Sequence, residues 1–132
     1  MDRSRAGGCR RIARGKRYAA SRSAATIGDH PHRLQRHDLS APGREVLQAL
    51  VTFAPGSSFP RHSHPGEEII FVTEGTLEYQ LEGRGWVAVK AGEVLFVPDG
   101  AVHAARNAGR VPAAELATYV IERGKPLVTL AE

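Results

Sequence analysis

An all-β barrel or sandwich is the fold class the sequence predicts, and three observations carry it. Short apolar runs of strand length recur from Leu34 onward, Gly and Pro punctuate them at regular spacing, and no stretch has a convincing helical period. Val46 to Phe53 is apolar-dominated and closed by Pro55-Gly56, and Glu68 to Thr73 carries Ile69, Ile70, Phe71 and Val72 ahead of Gly75. Thr76 to Leu81 alternates, with Leu77, Tyr79 and Leu81 on one side. Glu82-Gly83-Arg84-Gly85 then turns the chain into Trp86, Val87 and Val89, which makes the pair a hairpin. Val94 to Val97 ends at Pro98-Asp99-Gly100, Val102 to Asn107 follows, and Leu116 to Ile121 is a last β-rich segment before Gly124 and Pro126. About seven or eight strands are expected, with no internal repeat.

The length of 132 residues fits one domain with one modest core. No apolar run approaches the ~20 residues that span a bilayer, so no membrane partner is expected. The net charge of +4 is unevenly spread. Residues 1–33 hold nine Arg or Lys against Asp2 and Asp29, a net of +7, whereas the other 99 residues hold nine basic and twelve acidic side chains, a net of −3. A mildly acidic body argues against nucleic acid as a partner of the folded domain. Cys9 is the single cysteine, which excludes an intrachain disulfide and a cysteine-based zinc cage.

The basic segment is rich in Arg, Ala, Ser and Gly, with Ile12, Tyr18 and Ile27 as its sizeable hydrophobes. Disorder is the expectation, and the division is a low-order extension over 1–33 followed by a barrel domain over 34–132. A secretory signal needs an apolar stretch that this segment lacks, so a cytoplasmic location is expected. An organelle transit peptide, a basic arm and a functionless extension remain open readings of it.

In an extended strand alternate side chains share a face, so His62 and His64 point the same way and can clamp one ion. Pro65-Gly66 allows a turn, and Glu68 opens the next strand with the parity of Ile70 and Val72, aimed at the interior if those two are core. A buried carboxylate needs a charge partner, and a metal ion held by His62 and His64 supplies one. A one-residue slip would exchange Glu68 for Glu67, whose parity otherwise makes it a surface charge. His103 lies on a later strand, from which it can close the site across a barrel. His30-Pro31-His32 has the same spacing as His62 and His64 but sits in the polar leader, so it and His37 read as solvated.

The joint pattern resembles a known family. Gly56-x5-His62-x-His64-x3-Glu68-x6-Gly75 is similar at every fixed position to the first cupin motif, and Gly92-x5-Pro98-x-Gly100-x2-His103-x3-Asn107 is similar to the second. The separation, residues 76–91, resembles that of compact single-domain microbial cupins. The resemblance covers roughly residues 34 to 125 and implies a jelly-roll β-barrel whose ligands are His62, His64, Glu68 and His103. Gly56, Gly75, Gly92 and Gly100 fall at strand ends where turns often need positive φ. Pro98 and Asn107 are assigned to barrel architecture.

Three imidazoles and a carboxylate suit one divalent transition metal ion, with Fe, Mn, Ni, Co, Cu and Zn all open. Four protein ligands on a six-coordinate ion leave two positions for water, O₂ or a small chelating substrate. Similarity to quercetin-dioxygenase-like cupins implies a metal-dependent oxygenase, in which Glu68 can serve as proton acceptor. A non-redox isomerase or lyase, and a small-molecule-binding protein without turnover, are the alternatives. Phe53, Phe71, Tyr79, Phe96 and Tyr119 are available to line the barrel, with plain core as their other reading. A homodimer is expected from the resemblance and from the prevalence of two-fold oligomers.

Overall fold

A computed structural model describes residues 32–132 as ten β-strands. In chain order they are β1 (His32–Asp38), β2 (Arg44–Phe53), β3 (Ser58–Ser63), β4 (Gly66–Glu74), β5 (Thr76–Leu81), β6 (Val87–Lys90), β7 (Val94–Val97), β8 (His103–Arg106), β9 (Ala113–Glu122) and β10 (Thr129–Leu130). Among the described residues there is no helix, and so none long and apolar enough to cross a membrane. The expected disorder of the leader, together with Cys9 and His30, lies outside the described residues.

Two five-stranded antiparallel sheets, ordered β1-β2-β9-β4-β7 and β10-β3-β8-β5-β6, form the jelly roll. The long pairings are non-local: Leu47 lies opposite Tyr119 and Ile70 opposite Ala117. Period-2 alternation decides which side chains face the second sheet. Ile70 and Val72 of β4, Leu77 and Tyr79 of β5, Val97 of β7 and Ala105 of β8 form one buried cluster with Phe53. Burying a side chain of the size of Ile70 or Leu77 contributes about 1.5–3 kcal/mol, so this cluster holds the two sheets together.

Turn chemistry follows the motif glycines. Gly56, Gly75, Gly92 and Gly100 all have positive φ. Gly75 is the most constrained of the four, because a Cβ there would also meet the Pro112 carbonyl oxygen at 2.7 Å. Asn107 is architectural. Its Nδ2 donates to the carbonyls of Phe53 and Val111 at 3.2 and 2.8 Å, and its Oδ1 accepts from the Gly109 amide at 3.0 Å. Pro98 starts a turn in which its carbonyl accepts from the Ala101 amide.

Four expectations change in detail. Phe71 and Phe96 do not line the barrel or its core: both face outward from the first sheet, 41% and 56% exposed, because each lies one position from a buried inward residue. Gly66 is the first residue of β4 rather than a turn residue. His32 and His37 are exposed as expected, yet they belong to β1, which pairs with β2 and so starts ahead of Leu34. β1 and the two-residue β10 escape sequence reading because β1 has no buried face and β10 is too short to carry a period.

Candidate metal centre

Pairing geometry brings the four motif residues together from both sheets. His62, near the end of β3, lies directly opposite His103, the first residue of β8. Glu68 on β4 is flanked by Tyr119 of β9 and Val97 of β7, so it enters from the other sheet. His64 follows the end of β3 and is fixed by the Leu127 carbonyl. All four are at most 6% exposed. Glu68 rather than Glu67 faces inward, as the parity of Ile70 and Val72 requires; Glu67 is half-buried on the outer face.

The three imidazoles are oriented alike. The Nδ1 of His62 donates to the Pro60 carbonyl at 2.6 Å, that of His64 to Leu127 at 2.7 Å, and that of His103 to Ala101 at 2.9 Å. A neutral ring with its proton on Nδ1 presents a bare lone pair on Nε2, and outer carbonyls of this kind are how protein imidazoles are aimed at a cation. One nitrogen from each ring lies within 4.8 Å of the others, a spacing at which His62, His64 and His103 can hold a metal ion. Ring centroids of 4.2 Å for His62 and His103 and 4.8 Å for His62 and His64 give the same convergence.

Glu68 adds a fourth basic atom. Its Oε2 lies 3.0 Å from His103 Nε2 and 3.1 Å from His64 Nε2. Burial by itself pushes this carboxyl up, but the imidazoles of His103 and His64 beside it outweigh burial and hold the group below the usual carboxylate range, so it is ionised at neutral pH. Burial, reinforced by His103, lowers His62 to about 4 and keeps that ring neutral. His64 Nε2 is buried and has no hydrogen-bond partner, its 3.1 Å approach to Glu68 being an ion-pair distance without bonding geometry. A buried orphaned nitrogen among other lone pairs is costly unless a cation sits among them, so the donor set fits a divalent transition ion.

Beyond these residues the barrel holds a carboxyl that the sequence reading missed. Glu115 on β9 is 4% exposed and accepts a hydrogen bond from the Tyr79 hydroxyl of β5. Burial first, and then the Glu68 charge, push Glu115 up to about 8, so it is predominantly protonated at neutral pH. Tyr119 packs its ring 4.8 Å from His64, and burial with the charges of Glu68 and Glu115 raises its hydroxyl far above the usual phenol range. The signal for Glu115 was its parity with Tyr119 and Ile121. That signal is masked because the apolar run itself begins at Leu116.

Residues 49–121 match the family model for the cupin domain. The chain belongs to the cupin family. This cupin is 40% identical over 93 residues to Germin-like protein 1-1 of Oryza sativa subsp. japonica, which covers 61% of the chain and 41% of that relative. It is 38% identical over 67 residues to the dimethylsulfoniopropionate lyase DddQ of Ruegeria pomeroyi, covering 50% of the chain and 33% of the lyase. The crystal structure of that lyase superposes with a TM-score of 0.59 at 28% identity, covering 65% of the chain and 43% of the lyase. A solved oxalate oxidase gives 0.58 at 30% identity, covering 65% and 46%. The cupin thus spans less than half the length of these relatives.

Proposed function

We propose that this cupin binds one divalent transition metal ion through His62, His64, Glu68 and His103 and uses it as an oxygenase acting on a small organic substrate. The observation that carries the reading is the convergence of three Nε2 lone pairs and an ionised carboxylate in a buried site, with every Nδ1 already engaged by a backbone carbonyl. A bound ion supplies Lewis acidity and, if redox-active, access to O₂ chemistry. The chain's own groups orient the substrate and handle protons. Glu68 is the candidate proton acceptor, and Ile70, Val72, Leu77 and Phe53 make the adjoining interior apolar and exclude water.

A second reading, a non-redox lyase or isomerase, is favoured by one specific observation. Glu68 and Glu115 occupy the same barrel with opposite protonation at neutral pH, the arrangement expected of a base and an acid working in one site. Similarity to a dimethylsulfoniopropionate lyase points the same way. Both readings take a small-molecule substrate and a homodimer.

Oxygen uptake after anaerobic loading with Fe or Mn, measured over catechols, flavonols and diketones, tests the first reading. Substrate-dependent uptake is expected. Turnover that persists with Zn or Ni in the strict absence of oxygen would establish the second instead, and a bound but unchanged substrate with every metal would overturn both.

A further inference from the structure

We infer that Glu115, held by the Tyr79 hydroxyl, forms a substrate-binding subsite inside the barrel that takes an uncharged hydroxyl or carbonyl oxygen at the far end of a small chelating molecule. The inference deepens the metal-binding reading above and rests on it. The buried apolar residues fall into two clusters, one around Phe53, Ile70 and Leu77 and one around Leu47, Tyr119 and Ile121, with Val51 packed against both. Glu115 lies at that seam, since β9 sets it opposite Val51 of β2 and Val72 of β4.

A carboxyl between two valines on an inner sheet face is a costly placement. Among the described residues the charge that acts on Glu115 is Glu68, of like sign, and the group that bonds it is the Tyr79 hydroxyl. Burial first and Glu68 second push it up, so at neutral pH it carries its own proton. Tyr79 donates to Oε2, which leaves that proton on Oε1. No described residue bonds Oε1, yet His64 Nε2 is the described side-chain atom that lacks both a partner and access to solvent. Although Glu115 is 4% exposed, its Oε1 therefore still opens onto space in the barrel.

The side chains between this carboxyl and the metal ligands are small. On β9, Ala117 lies between Glu115 and Tyr119, the residue opposite Glu68, and on β8, Ala105 shares the inner face with His103. Tyr79 is opposite Ala105 and Leu81 is opposite His103, so Tyr79 sits two strand positions from the ligand layer, roughly 7 Å. A molecule that offers adjacent oxygens to an ion held by the four ligands reaches the Glu115 proton with a further oxygen about one ring's width away. That remote oxygen is uncharged. A carboxylate there would be buried beside no cation, and an ammonium would require Glu115 to be ionised.

Calorimetric titration of the full chain loaded with Zn under anaerobic conditions, where no redox turnover intervenes, tests the subsite. The probes share a catechol: 3,4-dihydroxybenzyl alcohol carries the remote hydroxyl, 4-methylcatechol lacks it, and 3,4-dihydroxybenzylamine replaces it with an ammonium. Wild type is expected to bind the alcohol at least about tenfold more tightly than the methyl compound, because the analogue leaves the Glu115 donor unpaired. Glu115→Gln, which keeps a donor, is expected to retain that preference and Glu115→Leu to abolish it, with Zn content and circular dichroism unchanged in both. If Glu115→Leu fails to fold, Tyr79→Phe, which releases the carboxyl from its anchor, is expected to cut the preference by about threefold or more. A Zn-loaded wild type that binds none of the probes, binds alcohol and methyl compound equally, or binds the amine most tightly overturns the subsite and leaves the metal centre standing. So does an undiminished preference in folded Glu115→Leu or Tyr79→Phe. A wild type that takes up no Zn overturns the metal-binding reading and the subsite with it.

Discussion

Tyr79 on β5 and Glu115 on β9 meet across the barrel interior, the phenol donating to the carboxyl where both side chains are buried. Glu115 has an ordinary value of 4.5 and is raised to about 8 by burial and by Glu68. Between those values the native state binds more protons than the unfolded chain, so stability falls as pH rises through the window. His62, lowered from 6.5 to about 4, acts in the opposite sense but only below 6.5. Chelator-treated wild type is therefore expected to lose about 1–2 kcal/mol between pH 6.5 and 8, and Glu115→Gln to flatten that slope. Parallel slopes in urea titrations of the two proteins would show that Glu115 titrates normally.

Asn107 closes a polar knot by bonding Phe53, Gly109 and Val111. Asn107→Ala leaves buried backbone groups without partners, which costs about 2–4 kcal/mol for two or three lost bonds. The expected outcome is a large drop in unfolding midpoint with metal content per folded chain unchanged. Loss of metal at undiminished stability would move Asn107 from architecture to the site.

Gly66 sits two residues before Glu68 and lies hard against β9. A Cβ at this position would be 2.0 Å from the Val120 carbonyl oxygen and 2.7 Å from Ile121 Cα, both backbone atoms that cannot swing away. Gly66→Ala is expected to push β4 off β9, destabilise by about 3 kcal/mol or more and weaken metal binding. Gly83→Ala is the comparison: φ is +76° but nothing lies within 4 Å, so only about 1 kcal/mol is expected. Similar midpoints for the two variants would contradict the close-approach explanation.

The sequence made the strands with an alternating or closed apolar pattern legible, β5 and β7 to the residue, because period and punctuation are local properties. The site was legible for the same reason at His62, His64 and Glu68, whose faces follow from parity. Their meeting with His103 was not a local property and came through the motif resemblance, since opposing β3 to β8 depends on a pairing across about forty residues of chain. Phe71 and Phe96 were misread because an apolar strand with both faces hydrophobic has no period to say which face is inside. Glu115 was hidden by the opposite bias, a charged residue at the edge of an apolar run being taken for its boundary.

The central claim is that His62, His64, Glu68 and His103 hold one metal ion between them. Elemental analysis of protein purified without a metal-affinity tag tests it most directly, run on wild type, His103→Ala and Glu68→Ala, with circular dichroism confirming that each is folded. The account predicts about one transition metal ion per chain in wild type and at least a tenfold loss in both variants. Equal metal content in all three folded proteins would contradict it.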